Sequence, residues 1–305
     1  MPSPALALSA FLTITMFPVP ALTQGPPAAA QARSGLDSLR MRIERRVSEH
    51  KDAVMGVAFH DLATGDSLFI NADASFHAAS TMKVPVMIEL YRQVQTGKFK
   101  LSDPLTIHNQ FHSIVDGSPY KLDPTDDSET DLYKAEGQTR TLTELCELMI
   151  TVSSNLATNL IIEKLGVENI RATVHSLNAD GMHVLRGVED NKAFEKGLNN
   201  ITTARALQIL LTSIADNTAA GPDASRQMLA ILERQRFNEG IPAGLPPGTK
   251  VAHKTGEITK IHHDAAIVYA PRPFVLVILV RGLRNIKDSS ALMADITRLL
   301  LQSVE

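Results

Sequence analysis

The sequence predicts a mixed α/β protein. An antiparallel sheet built from both chain ends, with flanking helices, carries an all-α insertion between its two halves. Three observations lead there. Strand-like runs fall only near the ends, at residues 54–71 and again at 250–258, 264–271 and 274–282. The stretch between them is dominated by helical periodicity. Amphipathic helix patterns at 36–50 and 289–302 bracket the whole, placed to cover the sheet. The boundaries that follow are 34–79 and 223–305 for the α/β part and 80–222 for the helical part, with 1–33 as a leader and linker.

Each element has its own justification. Leu36, Leu39, Ile43 and Val47 recur on one helical stripe. The run VMGVAFHDLATGDSLFIN reads as two strands around a turn at Ala63-Thr64-Gly65. A helix carrying Val84, Met87, Ile88 and Tyr91 follows Ser80 and ends near Gly97. Residues 101–140 lose periodicity and contain a long acidic loop at 115–137, of the kind that is functional or disordered. Thr141 and Glu144 have capping-box spacing and open a helix with Leu142, Leu145 and Met149. Leu156, Leu160 and Leu165 mark the next helix, stopped at Gly166. A further helix follows it. After an irregular stretch come helices at 201–216 and about 224–234, then the C-terminal strands and the last helix.

Composition narrows the function. The chain has 305 residues, is 44% hydrophobic and 21% charged, and carries net charge −3. That is an ordinary globular composition, long enough for a large core. It offers no basic footprint for nucleic acid. The apolar N-terminus, followed by a Pro-, Ala- and Gln-rich segment, reads as a secretory signal with cleavage after Ala32. The mature fold then begins near Ser34, exported to the periplasm or the medium, with no stable membrane span. The lone Cys146 sits in an apolar helical run, which fits a buried small hydrophobe rather than chemistry.

Three short motifs carry the chemistry: Ser80-Thr81-Met82-Lys83, Ser153-Ser154-Asn155 and Lys254-Thr255-Gly256. Each has an innocent reading: a capped helix start, a helix N-cap, and an edge-strand lysine with a turn. Together, in this order and on this α/β plan, they resemble the S-x-x-K, S-D-N and K-T-G signatures of the penicillin-recognising serine enzymes, class A β-lactamases among them. The resemblance runs from about Leu36 to the C-terminus.

An acyl-transfer enzyme needs an exposed hydroxyl with a base in reach, and Ser80 with Lys83 supplies that pair one helical turn apart. The resemblance implies the remaining roles. Backbone N–H groups of Ser80 and Glu257 would hold the oxyanion, and Ser153 would pass a proton to the departing nitrogen. Asn155 would bind the substrate's side-chain amide, and Lys254 and Thr255 its carboxylate. Gly256 would keep bulk away from the acyl group. Glu189, at the class A separation from Ser153, would activate the deacylating water. No cofactor or metal is implied, and the expected partner of a monomeric chain is a small β-lactam or a peptidoglycan-stem-like molecule.

Departures from the pattern matter. Ser154 stands where the family has Asp, losing a structural carboxylate. Ala193 takes the position of the Asn that shares the deacylating water, unless the loop is redrawn to use Asn191. His263 stands, by gapless count, where an Arg often binds the substrate carboxylate, and Ile258 replaces a small residue. The acidic loop is longer than usual and could wall the site with Tyr120 or Tyr133. Neighbouring His262 and His263 point to opposite faces of a strand, which argues against a shared metal. The alternatives are a D-Ala-D-Ala carboxypeptidase or penicillin-binding esterase on the same fold, and a catalytically dead binding module.

Overall fold

The structure, a computed structural model, describes Met1 and residues 28–304. The leader expected at 1–33 therefore lies largely outside the described residues. Five strands form the sheet: β1 (Val54–Asp61), β2 (Ser67–Ile70), β3 (Lys250–Ile258), β4 (Ile261–Tyr269) and β5 (Phe274–Arg281), in the order β2-β1-β5-β4-β3. Their pairings are all antiparallel, and β1 from the N-terminal end sits beside β5 from the C-terminal end, with Val57 opposite Ile278. The sheet is thus assembled from both ends of the chain, as its strand patterns require.

β5 reads as an unbroken apolar run because both its faces are buried. Leu276, Ile278 and Val280 join a core with Leu39 and Ile43 of helix α1 (Ala28–Ser48). Val275, Val277 and Leu279 face the opposite way, into the larger core under the helical half. Alternate side chains of a strand point to opposite faces, so two covered faces demand apolar residues at every position. The C-terminal helix Ile286–Val304 lies with α1 on the first face through Leu292, Met293, Ile296 and Leu300.

The helical half is built around α2 (Lys83–Gln95), α3 (Leu142–Thr151) and α4 (Asn155–Leu165). The capping box expected at Thr141 and Glu144 is made: Thr141 Oγ1 accepts from the Glu144 N–H, and the Glu144 carboxylate accepts from the Thr141 N–H. Gly166 closes α4 at φ 83°, a left-handed conformation that glycine adopts without steric cost. Helix Ala204–Ala215 contacts β1, β4 and β5, so it joins the helical half to the sheet. Cys146 is fully buried inside α3. Among the described residues no helix is long and apolar enough to cross a membrane.

Candidate active site

Ser80 lies in a short 3-10 turn, Ala79–Met82, that runs directly into α2. The turn is tightly prepared. Ala78 N–H donates to the Asn200 carbonyl at 2.8 Å, Ala79 N–H to His77 Nδ1 at 3.0 Å, and Thr81 Oγ1 to the Ala78 carbonyl at 2.6 Å. Ala79 takes φ 45°, an unusual conformation for a residue with a Cβ and one that surrounding contacts must impose. Neither Ser80 nor Thr81 caps α2 with its side chain. The Ser80 hydroxyl is partly exposed and makes no hydrogen bond among the described residues, so no structural duty occupies it.

Strand β3 passes close beside this turn. A Cβ added at Gly256 would lie 3.0 Å from the Thr81 nitrogen and 3.1 Å from the Ser80 nitrogen. A side chain there would crowd the Ser80 and Thr81 N–H groups, so glycine suits this close approach of strand and turn. Thr255 is buried and Glu257 exposed on either side of it.

Four side chains, those of Lys83, Ser153, Asn155 and Lys254, converge at the Ser153-Ser154-Asn155 turn. Lys83, fully buried at the start of α2, donates to the Ser153 carbonyl at 2.6 Å, to Ser153 Oγ at 3.1 Å and to Asn155 Oδ1 at 3.0 Å. Lys254, fully buried on β3, donates to the same Ser153 Oγ at 3.0 Å. A hydroxyl has two acceptor sites and one proton, so with two lysines donating, the Ser153 proton is left to point elsewhere. Ser153 holds this position with φ 62°, again in the left-handed region. Lys83 is not hydrogen-bonded to Ser80 among the described residues. Its ammonium is directed at the Ser153-Ser154-Asn155 turn instead.

Electrostatics set the protonation of this cluster. Burial pushes the Lys83 pKa down to about 7, against the opposing pull of the Asp127 and Glu189 carboxylates. Burial, followed by the like charge of Lys83, pushes Lys254 well below the ordinary lysine range. At neutral pH a substantial fraction of Lys83 is therefore a free amine able to accept a proton.

Glu189 joins the same cluster. Its carboxylate accepts from Asn155 Nδ2 at 2.9 Å and from the Asp123 N–H at 3.1 Å, and its backbone sits at φ 60°. Burial raises its pKa above the usual carboxylate range, outweighing those two hydrogen bonds. Asn159, one turn along α4 from Asn155, clamps the preceding residue: its Oδ1 accepts from the Val188 N–H at 2.7 Å and its Nδ2 donates to the Val188 carbonyl at 3.1 Å.

The structure thus gathers Lys83, Ser153, Asn155, Lys254 and Glu189 into one hydrogen-bonded cluster beside the Ser80–Gly256 contact. It does not bring His263 to it. His263 is fully buried on β4 opposite Gly256, its Nε2 donating to the His77 carbonyl at 2.9 Å and its Nδ1 accepting from the Val280 N–H at 3.2 Å. Burial lowers its pKa to about 4, and its ring meets Phe76 edge-on. The gapless count gave its strand position, but the pairing directs its side chain beneath the Ser80 turn. It supports that turn and leaves no nitrogen for a substrate carboxylate.

One further expectation is corrected. Asn191 is exposed at the start of the short helix Asn191–Glu195, so it does not replace the missing water ligand; Ala193 is buried. Tyr120 and Tyr133, expected as aromatic liners, have their hydroxyls engaged. The Tyr120 hydroxyl donates to the Val188 carbonyl at 3.3 Å and that of Tyr133 to Asp127 Oδ2 at 2.9 Å. Sequence reasoning missed Asp127 and Asn159. The first was one acidic residue among many in a loop, and the second is at helical spacing from Asn155, a cue that could have found it.

Comparison with known proteins agrees with this geometry. Residues 38–304 match the model of the beta-lactamase enzyme family. The chain is 27% identical over 293 residues to a beta-lactamase of Streptomyces fradiae, covering 93% of this chain and 91% of that one. Among solved structures it is similar to PBP-A, with TM-score 0.75 and 28% identity over 88% of this chain and 96% of the other. A mutant of PBP-A was solved as an acyl-enzyme complex with penicillin G. An ancestral class A beta-lactamase matches with TM-score 0.74 and 26% identity, covering 88% of this chain and 99% of that one. With its sheet, its three motifs and nearly its whole length accounted for, this chain belongs to the beta-lactamase enzyme family, hydrolases that act on β-lactams.

Proposed function

We propose that the chain is an exported class A serine β-lactamase that opens the β-lactam amide through a Ser80 acyl-enzyme. The observation that carries this reading is the Ser153 hydroxyl held between the two buried lysines, Lys83 at 3.1 Å and Lys254 at 3.0 Å. It puts a proton relay between two buried lysines whose amines are easily neutralised, beside a serine whose hydroxyl is otherwise unused.

In this mechanism Ser80 Oγ attacks the β-lactam carbonyl and its proton passes to neutral Lys83. The N–H groups of Ser80 and Glu257 stabilise the oxyanion. Collapse breaks the C–N bond, and the nitrogen takes the Ser153 hydroxyl proton, which Lys83 replaces. Lys254 and Thr255 hold the substrate carboxylate, and Asn155 the side-chain amide. Glu189 then removes a proton from water, which attacks the acyl carbonyl. Ser80 leaves with a proton returned to its oxygen, and a β-lactam-derived acid departs.

Catalysis by Ser80 is tested with nitrocefin: Ser80→Ala should remove both hydrolysis and covalent adduct, with thermal stability little changed. An adduct on that variant moves the nucleophile elsewhere.

A second reading, a penicillin-binding peptidase or esterase, is favoured by one observation. Ala193 and the exposed Asn191 leave the deacylating water without a second side-chain ligand. Likeness to PBP-A points the same way. It differs from the first only in the lifetime of the acyl-enzyme.

A further inference from the structure

The Ser153-Ser154-Asn155 turn lacks a carboxylate of its own, yet a carboxylate sits against it. Asp127, only 8% exposed, projects from the acidic loop onto the N-terminus of α4. Its Oδ2 accepts from the Asn155 N–H at 2.8 Å, the Leu156 N–H at 2.9 Å, the Tyr133 hydroxyl at 2.9 Å and the Ser154 hydroxyl at 3.3 Å. Ser154 itself caps α4 by accepting from the Ala157 N–H at 3.2 Å. The first N–H groups of α4, unpaired within the helix, are thus satisfied by two side chains from separate parts of the chain. A negative group at this end is also favoured by the helix dipole.

The same loop grips the segment that carries Glu189. Asp123 N–H meets the Glu189 carboxylate at 3.1 Å. Asp190, buried, accepts from Ser113 Oγ at 2.8 Å and the Ile114 N–H at 2.9 Å. Lys192 reaches Asp116 at 2.9 Å and Ser118 at 2.6 Å. One insertion therefore touches both Asn155 and Glu189.

We infer that Asp127 is a positioning residue, through which the acidic loop supplies from elsewhere in the chain the carboxylate missing from the Ser-Ser-Asn turn and so holds Asn155 against Lys83 and Glu189. This deepens the β-lactamase reading and rests on it. The loop is then part of the catalytic frame rather than a lid. Its length follows from the need to reach back to α4. The charge of Asp127 also favours the ammonium form of Lys83, whose other neighbours are the Glu189 carboxylate, the Lys254 amine, Ser153 and Asn155.

The test is a double-mutant cycle on the full chain with benzylpenicillin, resolving acylation and deacylation. Asp127→Asn should slow turnover about 10- to 100-fold, the scale expected when catalytic groups are misplaced by an ångström. It should also shift the acylation midpoint to lower pH, because one carboxylate favouring charged Lys83 is gone. Ser154→Asp alone should be impaired, since two carboxylates then crowd one helix end. Combined with Asp127→Asn it should recover folding and turnover, as the carboxylate is restored from the turn itself. Wild-type rates in Asp127→Asn overturn the inference. So does a double variant that neither folds nor turns over better than Asp127→Asn, and this comparison holds even where the single variant does not fold. Wild-type protein that takes no acyl group overturns the functional reading along with it.

Discussion

Asn155 Nδ2 donates to Glu189 Oε1 at 2.9 Å while Asn155 Oδ1 accepts from Lys83 Nζ at 3.0 Å. One amide therefore joins the group proposed to drive acylation to the group proposed to drive deacylation. Asn155→Asp would replace a donor by a second carboxylate facing Glu189, and like charges disfavour ionisation. The Glu189 pKa, already raised by burial, should rise further. Deacylation, which needs the ionised carboxylate, should then lose its rate at a pH about one unit higher than in wild type. Turnover at saturating substrate, followed against pH, reads this directly, and an unmoved acid limb contradicts the coupling.

With Lys83 as the proposed base, the first step should depend on pH. With a pKa lowered to about 7, its free-amine fraction falls as pH drops below that value. The acylation rate should decline about tenfold per pH unit on the acid side and level off above neutrality. Stopped-flow acylation from pH 5 upward checks it. A flat profile would mean that Lys83 is not the base. Lys83→Arg, permanently charged, should lose acylation across the range.

Gly256 bears on the Ser80 turn through its missing side chain. The backbone nitrogens of Ser80 and Thr81 lie 3.1 and 3.0 Å from where a Cβ would stand. Gly256→Ala should push the strand and turn apart, costing about 1–3 kcal/mol of stability. Acylation should suffer more than substrate binding. Unchanged melting temperature and acylation would show that the turn yields freely.

His263 should affect folding rather than substrate. Its folded pKa of about 4 lies below its unfolded value, so the unfolded chain takes up the proton first as pH falls. Its contribution to stability is intact above about pH 6.5 and lost as pH falls toward the folded value, by roughly 3 kcal/mol in all. Urea unfolding at pH 7 and pH 5 should show a larger loss in wild type than in His263→Gln. KM for a carboxylate-bearing substrate should carry no His263 titration between about pH 5.5 and 8. A KM step there that His263→Gln abolishes would return His263 to the site.

What could be read from the sequence was local. The S-x-x-K and K-T-G motifs each pack their chemistry into a few residues, so their joint resemblance to a known family's signatures brought Ser80, Lys83, Lys254 and Gly256 into view. The strand patterns at both ends gave the sheet because a strand covered on both faces reads as a short unbroken apolar run. Asp127 was not legible. Its role is a contact between a loop and a helix end, fixed by three-dimensional closure that no local pattern encodes. His263 was misread for a related reason: a count along the strand gives position, but cross-strand pairing with Gly256 decides what lies over the side chain. The loss at Ser154 was visible, and so was the acidic loop. Only the fold connects them.

In the proposed mechanism Ser80 carries a covalent acyl group, which Glu189 removes. Intact mass, followed over time after mixing with benzylpenicillin, tests it most directly. Wild type should show a transient adduct equal in mass to the whole β-lactam, on the peptide containing Ser80, decaying as substrate is consumed. Glu189→Ala should acylate at a measurable rate and retain the adduct. Equal adduct lifetimes in wild type and Glu189→Ala would contradict the claim, leaving Glu189 without a role in hydrolysis and making the chain a penicillin-binding peptidase.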